Sequence, residues 1–201
     1  ITTTPSVTTL RPDYIWFMFN GMRPMLTVEQ QTTVSTPHQL QMMGSVLGAD
    51  YTLSNNIDLY NALNSKAEAW ATQSNTVSGA GFVPVGSYIN SQNFTGTLNG
   101  NGYIIDNLYI NNTVDAAGLF AQLGGDALVQ NSAIEQVYTS GSVTQTGIHD
   151  AGGIAGWMNS NSSITDVYNI ASVNNTGVGA GGGIVGAMHA VTASLTRVYN
   201  T

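Results

Sequence analysis

Through much of the chain, large and small or polar residues alternate with a period of two. The segments that do so are short, rich in Val, Ile, Thr and Tyr, and closed by Gly or Asn. Val137-Tyr-Thr-Ser-Gly-Ser-Val143 and Val167-Tyr-Asn-Ile-Ala-Ser-Val173 are the clearest cases, and the pattern predicts strands. The same segments are copies of one another. Ser-Ala-Ile-Glu-Gln-Val-Tyr at Ser132–Tyr138 answers to Ser-Ser-Ile-Thr-Asp-Val-Tyr at Ser162–Tyr168 and to Ala-Ser-Leu-Thr-Arg-Val-Tyr at Ala193–Tyr199, with the tyrosines thirty and thirty-one residues apart. Gly152-Gly-Ile-Ala-Gly-Trp-Met158 returns thirty residues later as Gly182-Gly-Ile-Val-Gly-Ala-Met188. A fixed period of this length marks stacked supersecondary units, each burying its apolar face on its neighbours. With strands as the unit, the expected fold is all-β, a parallel β-helix (solenoid) in which equivalent residues lie about 4.8 Å apart along the axis.

The pattern changes toward the N-terminus. Ile1–Arg11, rich in Thr, reads as an extended leader, followed by the apolar run Tyr14–Leu26. Asn20-Gly21 between apolar flanks predicts an N-terminal β-hairpin, with Pro24 confining its second arm to an edge. Such a hairpin either docks on the solenoid or offers a partner-binding patch. Thr36-Pro37 ahead of Leu40, Met43, Val46 and Leu47 predicts a short helix capped by Ser35 or Thr36 and ended by Gly48. Ala49–Leu59 alternates as one strand. A helical insertion is expected at Asn61–Gln73, with Leu63, Ala67, Trp70 and Ala71 on one face. Further on, Tyr103–Ile110 aligns with the repeats at an offset of 29, placing Ile105 with Ile134, Leu108 with Val137 and Tyr109 with Tyr138. Ala117-Gly-Leu-Phe120 takes the place of the Gly-Gly-Ile box. Three regions follow: 1–33, the leader and hairpin or the end of a preceding module; 34–126, an entry module; and 127–201, the repeats, which stop inside a unit.

Composition narrows the function. Charged residues make up 7% of the chain against a usual quarter, so solubility rests on Asn, Ser, Thr and Gln. Eleven acids face only Arg11, Arg23, Lys66 and Arg197, a net charge of −7. Nothing there forms a basic patch for phosphates, which argues against nucleic acid. Cysteine is absent, which excludes disulfides and thiolate metal sites. The apolar run at 14–26 falls short of the ~20 residues a membrane span needs. A chain that begins at Ile1 and ends within a repeat is expected to be a piece of a longer protein that continues into further repeats.

Five motifs in order carry a family resemblance. Thr36-Pro-His-Gln-Leu-Gln-Met-Met with Tyr51-Thr-Leu-Ser-Asn-Asn-Ile-Asp58, then Phe82-Val-Pro-Val-Gly86, Phe94-Thr-Gly-Thr-Leu-Asn-Gly-Asn-Gly-Tyr103 and Ala117-Gly-Leu-Phe120, resemble the entry module of GLUG-repeat proteins. Gly152–Gly156 and Gly182–Gly186 resemble the GLUG box itself. Such repeats occur in filamentous-haemagglutinin-like adhesins exported by two-partner secretion, and similar ones precede the catalytic domain of IgA1-cleaving metalloproteases. Trp16, Asn20-Gly21 and Pro24-Met25-Leu26 look like the segment that closes a preceding array in the adhesin type. The resemblance implies a right-handed β-helix, bacterial and secreted or on the cell surface, and transfers no catalytic residue.

Candidate chemistry is sparse. Gly181-Gly-Gly183-Ile-Val-Gly186 fits a dinucleotide turn, yet no helix is expected after it and the preceding copy shows that the glycines belong to the repeat. Asp106, Glu135 and Asp166 occupy neighbouring units and suit either a solvated face or an acid–base row, with Arg197 the only base nearby. His38, His149 and His189 share no ligand spacing. Asn93, Asn111, Asn161 and Asn174 sit in Asn-x-Ser/Thr triplets whose use depends on export. No catalytic residue, metal or cofactor is expected. The candidate ligand-contact surface is an aromatic column, Tyr109, Tyr138, Tyr168 and Tyr199, aided by Trp157. With Val137, Thr139, Gly141 and Val143 on the core face the tyrosines point outward, where they either stabilise the stack or present ring faces to sugars or peptides. The opposite parity buries them. The expected function is that of a β-helical stalk in a surface adhesin, contacting host or neighbouring-cell glycans or proteins. The alternatives are an accessory region of a secreted protease or polysaccharide-active enzyme, and a structural spacer.

Overall fold

The computed structural model describes residues 15–71, 79–124, 138–189 and 192–201. It is mostly β, built of many short strands joined by parallel ladders. One ladder runs through Ile57–Asp58, Ile105–Asn112 and Tyr138–Gln145, and on to Tyr168–Asn169 with Ser172–Asn175, and Tyr199–Asn200. A second joins Phe120–Leu123, Ala155–Met158 and Val185–Met188. A third joins Thr33–Val34, Asp50–Leu53 and Thr97–Asn99. Ala151–Gly152 pairs with Gly181–Gly182, and Ser163–Thr165 with Ser194–Thr196.

The register repeats the sequence spacing. Val143 lies beside Val173, Ala155 beside Val185, Ile164 beside Leu195 and Tyr168 beside Tyr199. Each repeated residue therefore hydrogen-bonds through its backbone to the strand carrying its copy. Ala117 pairs with Ala151 and Phe120 with Ala155, so Ala117–Phe120 does hold the place of the later glycine boxes. The equivalent segment Ser132–Val137, the leader Ile1–Arg11, and residues 72 and 73 lie outside the described residues.

Alternation sorts side chains as the pattern demands. Tyr51, Leu53, Ile57 and Leu59 are buried while Asp50 and Thr52 are not. The segment is nevertheless two strands, Asp50–Leu53 and Ile57–Asp58, in different ladders. The break is made by amides: Asn55 Nδ2 donates to Ser35 O (3.0 Å), and Asn56 Oδ1 accepts from Ile104 N (3.0 Å). Inside, Tyr51, Phe94 and Phe120 follow one another, with ring centroids 6.2 and 4.7 Å apart. Buried residues from Phe17 to Ile184 form one cluster, each large side chain contributing about 1.5–3 kcal/mol. Gly141 lies in the left-handed half of the backbone map (φ 118°), and a Cβ there would stand 2.1 Å from Leu108 O, so only glycine fits.

At the N-terminus, Trp16–Phe17 and Met25–Leu26 pair antiparallel, with Gly21 at φ 78° in the turn. The pair docks on the body. Phe17, Phe19, Met22 and Met25 are buried, and Phe19 occupies the space a side chain on Gly44 would need. Helix α1 spans Pro37–Met42, with Thr36 Oγ1 accepting from Gln39 N (3.2 Å). It ends earlier than Gly48, passing into a 3₁₀ turn at Met43–Ser45 where Ser45 Oγ takes the Met42 carbonyl (2.6 Å). Helix α2 is a single turn, Tyr60–Asn64, shorter than the pattern predicts. Ser65 is extended and its hydroxyl accepts from Ala67 N (3.1 Å), which turns the chain and leaves Ala67 exposed with Ala69 and Trp70 buried.

Candidate ligand-binding surface

Three tyrosines share a rung position: Tyr168 pairs with Tyr138 on one side and Tyr199 on the other. Val167 and Asn169, which flank Tyr168, are both buried, so Tyr168 points away from the core and is half-buried. Tyr199 is exposed, and Tyr168 Oη lies 2.8 Å from Thr201 Oγ1. The side chain of Tyr138 lies outside what the structure describes.

Tyr109 does not join the column. It pairs with Ser142, and Ile110 with Val143. Eight residues separate Tyr109 from Ala117 but thirteen separate Tyr138 from Ala151, so once Ala117 and Ala151 are paired the two tyrosines cannot share a rung. Ala80–Phe82 crosses beside Tyr109, with Phe82 N donating to Tyr109 O (2.9 Å) and Gly81 leaving room for its ring. Its side chain packs on the core instead.

Trp157 belongs to a different ladder and to a different aromatic group. Its ring stacks on His189 (centroids 4.9 Å, planes 26° apart), and Tyr88 leans on it at 4.9 Å. Tyr88 also meets His149 at 5.2 Å. The indole N–H donates to Asn159 Oδ1 (3.0 Å). Asp115 holds the loop that carries Tyr88, accepting from Ser87 Oγ (2.5 Å) and from Tyr88 N (2.8 Å). His189 is placed by its own N–H, which donates to Met158 O (2.9 Å). The sequence separates these four residues widely; its one usable signal is that His189 follows Met188, the rung partner of Met158.

The remaining candidates have structural employment. Gly181–Gly182 and Val185–Met188 are strands on either side of the box, so the glycines serve close packing: a Cβ on Gly153 would sit 2.3 Å from Asn169 Nδ2. Asp106 accepts from Asn107 N (2.8 Å), Asp166 pairs with Arg197, and Glu135 lies outside the described residues. His38 bridges Glu29 (2.5 Å) and Glu68 (2.9 Å). Among the described residues, no three His, Asp or Glu side chains are grouped to hold a metal ion, and no helix is long and apolar enough to cross a membrane. A cleft of about 330 Å³ between the hairpin turn and the 80–92 segment has Phe19, Phe82 and Ile110 in its wall and Asp115 at its edge.

Side-chain amides hold one corner. Asn112, Gln145 and Asn175 stand in register, and each Oδ1 or Oε1 accepts the backbone N–H two residues on, from Val114, Gly147 and Gly177. Asn175 also donates to His149 O (3.0 Å) and Ala180 O (2.9 Å), holding the loop that bears His149. Asn175→Ala is expected to cost about 1–2 kcal/mol. Urea unfolding checks this as a lower midpoint with an unchanged slope.

No family model matches the chain, and no solved structure matches it. Over 112 residues, 55% of the chain, it is 31% identical to Halomucin of Haloquadratum walsbyi. The match covers 1% of that protein, so the chain spans about one hundredth of the length of the relative it matches.

Proposed function

We propose that the chain is a segment of a right-handed parallel β-helix in a secreted or surface-exposed bacterial adhesin, a stalk that presents binding surfaces for glycans or proteins of a host or neighbouring cell and carries no catalytic machinery. The observation that carries this is the in-register stacking of repeated positions: three ladders in which Val143 lies beside Val173, Tyr168 beside Tyr199, Ala155 beside Val185 and Ile164 beside Leu195, thirty or thirty-one residues away. A unit that buries itself only on the next unit extends by repetition, which is what a stalk requires. The GLUG-like boxes and the scarcity of charge agree with it.

The face that carries Tyr168 and Tyr199, with Tyr138 paired to Tyr168 in the ladder, is the contact surface of this reading. A glycan-array screen with the whole chain is expected to give signal that falls about tenfold or more in Tyr138→Ala/Tyr168→Ala. Signal indifferent to both changes removes the column as a binding surface, and an array without signal leaves a spacer. A catalytic module elsewhere in the parent protein would favour the accessory-region alternative.

A further inference from the structure

We propose that Asn111 and Asn174 are acceptors for N-linked sugar, so that one uncharged face of the stack is glycosylated. The proposal takes from the reading above only the exported location, and it concerns sugar that the chain carries, not sugar that it binds.

The sequence holds Asn-x-Ser/Thr triplets at Asn93, Asn111, Asn161 and Asn174, and the fold sorts them. Asn111 and Asn174 both pair with Thr144, one on either side, so they share a column and stand about 10 Å apart across two rungs. Ile110 and Val143 are wholly buried and Val173 packs on the core, so Asn111, Thr144 and Asn174 point outward. Asn174 is exposed and Asn111 half-buried, and the hydroxyl residues two places on, Thr113 and Thr176, are both exposed. Asparagines elsewhere are spent on the fold: Asn55, Asn56, Asn112, Asn169 and Asn175 each bond to backbone groups. Among the described residues, the side chains of Asn111 and Asn174 bond to no other group. They are spare amides.

The other two triplets are not presented in this way. Asn93 Oδ1 is buried. Asn161 is exposed, but it stands in a turn at φ 61° with its N–H donating to Thr192 Oγ1 (2.9 Å), and Ser163 is half-buried in a strand paired with Ser194. A transferase that reads amide and hydroxyl together is offered both at Asn111 and Asn174. In the transfer, the amide nitrogen bonds to the anomeric carbon of a sugar activated as a phosphate ester, carried on a nucleotide or a lipid. The bond from that carbon to the phosphate oxygen breaks, the phosphate leaves with the electron pair, and the amide gives up one proton. The face has room for the product: beside the column stand Ser142 and Ser172 on one flank and Thr113, Thr146 and Thr176 on the other, none of them charged. Sugar there adds hydration to a chain with only 7% charged residues.

The test is peptide mass spectrometry on the whole protein recovered from the cells that make it, with fragmentation that localises any added mass. Asn111 and Asn174 are expected to carry the mass of one or more sugar residues, and Asn93 and Asn161 none. Thr176→Ala is expected to remove the sugar from Asn174 and leave Asn111 unchanged, whereas Thr176→Ser keeps both. The proposal is overturned if neither Asn111 nor Asn174 carries sugar, if Asn93 or Asn161 carries as much as they do, or if Asn174 keeps its sugar in Thr176→Ala. Recovery from the medium and cell surface, as against the cytoplasm, tests the location separately, so failure of the exported reading and failure of these acceptor sites are told apart.

Discussion

Replacing Gln41 by Met is expected to destabilise the protein by about 3–5 kcal/mol, although the two side chains have nearly the same length and the site is wholly buried. Gln41 Oε1 accepts from the Trp70 indole (3.0 Å) and from Val83 N (3.0 Å), and its Nε2 donates to Val83 O (2.8 Å). One amide thus ties helix α1 to the segment after α2 and to the strand-like run that follows. Methionine keeps the volume and removes all three bonds, leaving a buried indole N–H and both polar groups of Val83 without partners. The loss is the desolvation of the orphaned groups and greatly exceeds the net worth of three ordinary hydrogen bonds. Urea midpoints for the parent and Gln41→Met measure it, and Gln41→Glu is not an equivalent control because it adds a buried charge. A shift below about 1 kcal/mol would show that Trp70 and Val83 find other partners.

The repeat was legible in the sequence because a stacked unit must place like on like. Val143 over Val173 and Ile164 over Leu195 are visible as letters before they are visible as ladders. Register failed where the spacing between two motifs changed. Tyr109 shares its motif with Tyr138, yet with the shorter run to Ala117 it pairs four residues further along that strand, beside Ser142. Strand breaks are hidden for a related reason: Asn55 and Asn56 do not interrupt an alternating pattern, but their amides cap backbone groups and turn the chain. Helix α2 is shorter than its pattern because Leu63 and Trp70 have helical spacing, whereas Trp70 is held by Gln41 and not by a helix.

Of the candidate site, the alternation allowed either parity for the tyrosines, and the burial of Val167 and Asn169 selects the outward one for Tyr168. The cluster around Trp157 did not, since Tyr88 arrives on a loop fixed by Asp115 and the histidines by hydrogen bonds from other rungs. Buried amides were equally hidden. In a chain full of Asn and Gln, nothing in the letters separates Asn169, Gln41 and Gln145, all fully buried, from those that merely dissolve the surface. That distinction arises only from the fold, which surrounds these three with backbone groups to satisfy.

Raising the pH through the range 10 to 12 is expected to remove about 3 kcal/mol of stability through Tyr51 alone. Its hydroxyl is buried, donating to Val46 O (2.8 Å) and accepting from Gln30 Nε2 (3.2 Å). Burial pushes its pKa from 10.0 up to about 12, and the Gln30 bond offsets part of that rise. The folded protein therefore keeps this proton over a range in which the unfolded chain releases it. Stability is full below about pH 10 and is lost as the pH rises through about 12, because the unfolded state then binds fewer protons. Other tyrosines titrate in the same range, so the measurement is a comparison. Urea midpoints at about pH 9 and about pH 12 should fall steeply for the parent and less steeply for Tyr51→Phe, by the two-unit difference of about 3 kcal/mol. Tyr51→Phe itself loses about 1 kcal/mol near neutrality with the Val46 bond. If the two proteins lose stability in parallel, the hydroxyl is in contact with water, and the stack of Tyr51, Phe94 and Phe120 is open at that end.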